Sequence, residues 1–319
     1  MKTGVFIVPA GVGASIGGFA GDASRCAGEL SKKYRLIVNP NVVNAACFSG
    51  INDNMLYVEG YALDEFFKGN ISLNPLPDGE KNKIGVIFDR AIRQEVLNVH
   101  INTLNAVETV YGVEISEYEI TETEAGIEFF IDKTGISTGN IKNLDTLKKA
   151  AEKLIKKGAD AIAVVCRFPE CGGSDDYSKG LGVDPVGGVE AVISHYLTKE
   201  FMVPCAHAPA FDDITIPTEI VDKRCAAEYI TPTFLPCVLL GLNRAPRISK
   251  TGEISVEDIS FLAVPCNAIG CIPVLEAAKR GIKIYAVKEN QTILNVTPFN
   301  FVPQCDIINM YSEIPDDIL

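Results

Sequence analysis

The stretch Val5-Phe6-Ile7-Val8-Pro9-Ala10-Gly11-Val12-Gly13-Ala14-Ser15-Ile16-Gly17-Gly18-Phe19-Ala20-Gly21-Asp22 decides how this chain is read. Its apolar, β-branched opening predicts a buried strand, its glycines a turn that needs open backbone space, and residues 22–30 a helix. Without a Cβ, Gly11, Gly13, Gly17 and Gly18 let backbone N–H groups approach an anion, and the helix N-terminus behind them adds roughly half a positive charge. Gly11, Gly13, Ser15, Gly17 and Gly18 are therefore candidate ligands of a phosphate or carboxylate. The dinucleotide fingerprint G-x-G-x-x-G is broken, because Ile16 stands third after Gly13 and glycine arrives one residue late. Asp22 competes for the same amides, so a tight turn with no ligand is the alternative.

Outward from this unit, apolar runs at 35–38, 55–58, 84–88, 161–165, 261–265 and 282–287 alternate with amphipathic stretches at 61–68, 94–110, 144–157 and 189–196. That alternation predicts an α/β protein of wound, mostly parallel sheets with helices on both faces. Runs at 113–120 and 128–131 predict a small hairpin-like β insertion. A composition shift near 135–145 suggests a boundary there, giving an N-terminal half (1–140) with the glycine loop and a C-terminal half (141–319) with cysteine-bearing strand ends, although a single wound sheet is equally permitted.

The chain has 319 residues, is 47% hydrophobic and carries a net charge of −12, which excludes disorder and argues against nucleic acid and anionic membranes as partners. No charged-then-apolar leader opens the sequence and no apolar run approaches ~20 residues, so the expectation is a cytoplasmic protein. Its ten cysteines are then expected as reduced thiols. Cys166, Cys205, Cys237 and Cys266 each follow an apolar run. If those runs are neighbouring parallel strands, their thiols converge on the carboxyl edge, where open α/β sheets bind ligands. Packing as small hydrophobes is the competing use.

Cys166 and Cys266 also open two C-x4-C units, with Cys171 and Cys271. Zinc or iron–sulfur ligation, core packing and thiols supplied to a site all stay open, although structural zinc pairs sit in compact knuckles rather than ~100 residues apart. Cys205 and His207 share a face of an extended segment, so the imidazole can act on the thiol as base. Arg167 offers a bidentate fork to a carboxylate. Asn39, Asn41, Glu289 and Asn290 follow apolar runs and are delivered to the same rim. Glu289 can also receive a ribose hydroxyl, which leaves a nucleotide open.

Two resemblances add to this. Cys266-Asn267-Ala268, after an apolar strand and before the strand Ile282-Lys283-Ile284-Tyr285-Ala286-Val287, resembles the C-N-T-A element of the aspartate/glutamate racemase superfamily. That resemblance implies Cys266 as one acid/base thiol, Asn267 as a substrate holder, and Cys166 or Cys205 as the opposing thiol. Over nearly the whole chain, the opening glycine stretch together with Leu56-Tyr57-Val58-Glu59-Gly60, Gly182-Val183-Asp184-Pro185, Glu190-Ala191-Val192-Ile193-Ser194-His195 and Pro204-Cys205-Ala206-His207 is similar to a domain-of-unknown-function family of bacteria and archaea, which implies no activity.

The sequence thus predicts an enzyme that binds a small anionic metabolite and does thiol chemistry with Cys266, Cys205, His207 and Cys166, of isomerase or lyase type. A nucleotide-dependent transferase or oxidoreductase and a metal-binding scaffold are the alternatives. No cofactor or metal ligand is assigned, and a homo-oligomer is the assembly considered.

Overall fold

Residues 5–8 are buried on both sides of the chain, and a strand hidden on both faces needs a layer of helices above and below it. A computed structural model, which describes residues 1–170, 176–298, 302 and 304–316, builds those layers. β1 (Thr3–Phe6) passes through the glycine loop to α1 (Ser24–Ser31), β2 (Arg35–Val38), α2 (Pro40–Val43), β3 (Asn44–Ala45) and β4 (Phe48–Ser49). β5 (Met55–Tyr57), α3 (Gly60–Lys68), β6 (Ser72–Asn74), β7 (Lys83–Phe88), α4 (Gln94–Tyr111) and β8 (Glu114–Ile120) follow. Then come β9 (Ile127–Ile131), β10 (Ser137–Ile141), α5 (Leu144–Lys156), β11 (Ala161–Arg167), α6 (Gly187–Phe201), β12 (Cys205–Ala210) and α7 (Leu235–Asn243). β13 (Arg247–Ser249), β14 (Ile259–Pro265), α8 (Ile272–Lys279), β15 (Lys283–Val287) and β16 (Asp306–Ile308) complete the chain.

Six parallel strands form one sheet in the order β16-β15-β14-β1-β2-β5, and four form a second in the order β12-β11-β7-β8. The wound, mostly parallel α/β class is the one the alternation predicts. The strands do not divide at residue 140, however. Val5 lies between Leu262 and Ile37, so both ends of the chain share the six-stranded sheet, while the four-stranded sheet is drawn from the middle. The halves 1–140 and 141–319 are therefore not the units that the strands form, because sheet pairing is long-range and a local composition shift does not report it.

The region around 113–131 pairs differently from a hairpin. β8 joins the four-stranded sheet parallel to β7, with Val86 beside Tyr118, and β9 pairs antiparallel with β10 instead. β10 contains Ser137, Thr138, Gly139 and Asn140, a composition that reads as loop and is overridden by its partner strand.

Alternate residues of each strand enter opposite layers. Phe6, Val38, Tyr57 and Ala263 meet Val86, Ala163 and Ala208 of the other sheet around α7, whose Leu235 and Leu239 fill the gap. On the far face of the six-stranded sheet, Val5, Ile37 and Leu262 pack under α3 and α8. On the far face of the four-stranded sheet, Ile162, Val164 and Cys166 pack under α5 and α6. Each large aliphatic or aromatic side chain so buried contributes about 1.5–3 kcal/mol. Among the described residues, no helix is long and apolar enough to cross a membrane.

Candidate functional site

The chain leaves β1 for β2 on one side and returns to β14 on the other, so the order of the six-stranded sheet reverses between β1 and β14. Ligands of open parallel sheets bind outside the strand carboxyl ends at such a reversal. The glycine loop and Cys266-Asn267 both lie there. Gly11, Gly13 and Gly17 adopt left-handed φ values of 71°, 56° and 85°, which the loop requires.

Several of the loop's amides are nonetheless committed to the protein itself. The N–H groups of Gly17 and Phe19 donate to Asp22 Oδ1 (2.7 and 3.4 Å), that of Ile16 to Asn290 Oδ1 (3.0 Å), and that of Ser15 to the Gln291 carbonyl (2.7 Å). Ser15 Oγ donates to the same carbonyl. Gly18 is needed for space, since a Cβ there would stand 2.1 Å from the Ala14 oxygen. Of the candidate amides, those of Ser15 and Gly17 are thus taken up within the protein, Gly17 by Asp22.

The polar residues at the strand ends are fasteners of the same loop. Asn39 exchanges two hydrogen bonds with Val8, and Asn41 Nδ2 donates to the Gly17 and Pro9 carbonyls. Asn290 spans Ile16 and the Tyr311 hydroxyl. Glu289 Oε1 accepts from the Tyr311 amide, and Asn267 binds Thr292 and Leu294 on both sides of its carboxamide. In this structure these side chains hold loops together. Arg167 is engaged in part: its Nε and Nη2 bind Asp212 Oδ2 at 3.2 and 2.6 Å, while Nη1 makes no hydrogen bond among the described residues.

The thiols do not converge. Cys266 is half-buried and packs against the layer behind the six-stranded sheet, whereas Cys205 is buried in the layer behind the four-stranded one. The physical reason lies in residues 201–204, which read as a strand but are the end of α6 and its left-handed cap Met202. Cys205 therefore begins β12 and sits at its amino end. Residues 234–236 likewise open α7, which places Cys237 in a helix. Burial raises the thiols of Cys166, Cys205 and Cys266, with the charges of Asp89 and Glu190 adding to the effect at Cys166. All three are protonated, weak nucleophiles. Cys171 lies outside the described residues, so the first C-x4-C unit has no structural account. Among the described residues, no group of three or more His, Cys, Asp or Glu side chains is placed to hold a metal ion.

Two of the predicted residues do meet. His207 and Cys166 lie on the same face of neighbouring strands, with Val164 directly opposite His207. Over them runs the first turn of α6, which brings Glu190 Oε1 to 3.0 Å from His207 Nδ1. Burial raises the Glu190 carboxyl to about 8 and lowers the His207 imidazole to about 3, Asp89 opposing the latter. Burial disfavours the charged form of both groups, so the contact is a hydrogen bond between two groups held toward neutrality. The other ring nitrogen, Nε2, is buried and has no hydrogen-bond partner among the described residues.

Further carboxyls face Glu190. Asp184 Oδ1 accepts the Val186 amide at the start of α6, and Glu228 Oε1 accepts the Tyr177 hydroxyl at 3.2 Å. Burial with mutual repulsion raises Asp184 to about 7 and Glu228 to about 8. The Glu190 side chain keeps 21% of its surface exposed. Phe19 of the glycine loop is stacked near Tyr177 and under Arg224 at 4.9 Å. Nothing in the sequence marks Glu190, because an acid in the first turn of a helix reads as an ordinary dipole partner.

The fold is that of a wound α/β protein with two parallel sheets, and the site is a buried imidazole paired with Glu190 in the layer behind the four-stranded sheet. The chain belongs to the family described as a protein of unknown function (DUF3326), whose model matches residues 3–315. It is 42% identical over 305 residues to an uncharacterized lipoprotein of Synechococcus sp., covering 93% of this chain and 84% of that protein. No solved structure matches this chain. The expected cytoplasmic location is corrected by this relative, since a lipoprotein is a membrane-anchored class.

Proposed function

We propose that this protein is an enzyme that moves a proton on a small polar metabolite, of isomerase or lyase type, with Glu190 and His207 as the proton-carrying couple. The observation that carries this reading is the 3.0 Å contact between a half-buried carboxyl and a buried imidazole whose Nε2 has no partner among the described residues. Burial moves the two groups so that the carboxyl is the acid and the ring the neutral relay, a division of labour suited to general acid–base work. The cysteines enter as neighbours: a thiol raised by burial, as at Cys166, supports the packing of the ring more than nucleophilic attack. A polar rather than strongly anionic substrate suits a site beside Asp184, Glu190 and Glu228. The description of the Synechococcus relative also supports a lipid-anchored setting for this chain.

The test is deuterium uptake. Incubated in D2O with a pool of small hydroxy and amino acids and sugars, the wild-type protein should exchange a carbon-bound hydrogen of at least one compound, read by mass spectrometry. Glu190→Gln and His207→Asn should each lower that rate by about 10²–10⁴-fold. Exchange that survives both substitutions, or no exchange by the wild type, would remove the reading.

A further inference from the structure

The four-stranded sheet has a reversal of its own. From β7 the chain steps to β8 on one side and, after β9, β10 and α5, returns to β11 on the other. The strand ends at this reversal are Asp89 and Arg167, and a pocket of about 270 Å³ opens between them. The hairpin of β9 and β10 forms its outer wall, contributing Ile127 and Glu128, with Glu124 and Lys142 just before and after.

The floor is rigid. Asp89 Oδ1 accepts the amides of Ala91 and Ala125 at 3.2 and 3.0 Å, and Oδ2 accepts that of Arg167 at 3.3 Å. Arg167 is held by Asp212 through Nε and Nη2, while its Nη1 has no hydrogen bond among the described residues. Glu124 acts electrostatically on Arg167, and its carboxylate makes no hydrogen bond or ion pair among the described residues. At the rim Lys142 and Glu128 pair at 2.5 Å, both well exposed and free to exchange partners. One pocket thus offers a free guanidinium nitrogen and a free carboxylate, each repeated at the rim by the opposite member of an exposed pair.

We propose that this pocket binds a small zwitterion, an α-amino acid or close analogue, with its carboxylate on Arg167 Nη1 and Lys142, its ammonium on Glu124 and Glu128, and its hydrocarbon part against Ile127. A lone anion would face Glu124 and a lone cation would face Arg167, so each half of the ligand is disfavoured without the other. The volume lies just below the usual lower bound of about 300 Å³ for ligand pockets, which admits an amino acid and rejects a nucleotide. The site rests on this pocket alone and does not require the Glu190–His207 couple to react.

Isothermal titration calorimetry on the full chain tests it, with free glycine, alanine, serine, aspartate and lysine as probes, beside propionate and ethylamine as the two halves of alanine. At least one amino acid should bind in the millimolar range or tighter, and if that is alanine, each half should bind at least about tenfold more weakly. Glu124→Gln and Lys142→Gln, both at exposed positions, should each weaken the amino acid about tenfold while thermal stability stays unchanged. Absence of binding by every amino acid, equal binding of a half-molecule, or indifference to both substitutions overturns the proposal. Because calorimetry reads binding and deuterium uptake reads turnover, the two readings fail separately.

Discussion

His207 Nδ1 stands 3.0 Å from Glu190 Oε1, joining a strand residue to a helix residue across the layer behind the four-stranded sheet. Burial lowers the imidazole to about 3 and raises the carboxyl to about 8, which disfavours the charged form of each. The imidazole should therefore stay neutral from pH 8 down to at least about pH 5, well below where a free histidine titrates. Nitrogen-15 NMR of histidine-labelled protein checks this. A His207 midpoint near the free value would mean that water reaches the ring.

Stability should fall as pH rises toward 8. Burial chiefly raises Glu190 and Glu228 to about 8 and Glu59 to about 7 from 4.5, and Asp184 to about 7 from 3.8, in the folded chain. The folded state keeps protons that the unfolded chain releases, so their contribution is full below about pH 4 and is lost as pH climbs through the folded values. His207 has the opposite sign: lowered by burial to about 3 from 6.5, it favours folding above 6.5 and loses that contribution as pH falls. Glu190→Gln removes one of the acid terms. Its stability relative to the wild type should improve by on the order of 1–2 kcal/mol between pH 6 and pH 8.5, read from denaturant melts. Parallel profiles for the two proteins would count against a protonated Glu190.

Two glycines should respond to alanine in opposite directions. Gly18→Ala drives a Cβ into the Ala14 backbone oxygen and should cost about 2–4 kcal/mol. Gly28→Ala, inside α1 with no heavy atom within 4 Å of the new carbon, should stabilise by about 0.5–1 kcal/mol. Thermal denaturation of both variants measures the contrast, and a tolerated Gly18→Ala would show that the loop has another conformation.

Cysteine accessibility should follow the layers. Brief alkylation of the native protein should modify Cys26, Cys47, Cys266 and Cys271, which are half-buried, and spare Cys166, Cys205 and Cys237 until denaturant is added. Peptide mapping reads the pattern. Native labelling of Cys205 as fast as that of Cys47 would contradict its place in the core.

The strand, glycine loop and helix at the start of the chain, the parallel α/β class, and the amphipathic faces of α4 and α5 were all legible in the sequence. Each is a local signal, a period of two or 3.6 residues broken by glycine, and needs no knowledge of partners. Residues 201–204 and 234–236 misled because a short apolar run looks the same at a helix end as in a strand. Asn39, Asn41, Asn267 and Asn290 were visible as polar strand ends, but only their neighbours decide whether a carboxamide meets a ligand or another loop.

What the sequence determined by itself was the kind of element at most positions and the edge to which polar residues are delivered. Tertiary structure alone decided that the two chain ends share a sheet, that Asp22 takes up the Gly17 and Phe19 amides, and that Glu190 meets His207. Those outcomes depend on contacts between residues far apart in the chain. Burial, which sets the protonation of each group, is a property of what surrounds it and is written in no single stretch.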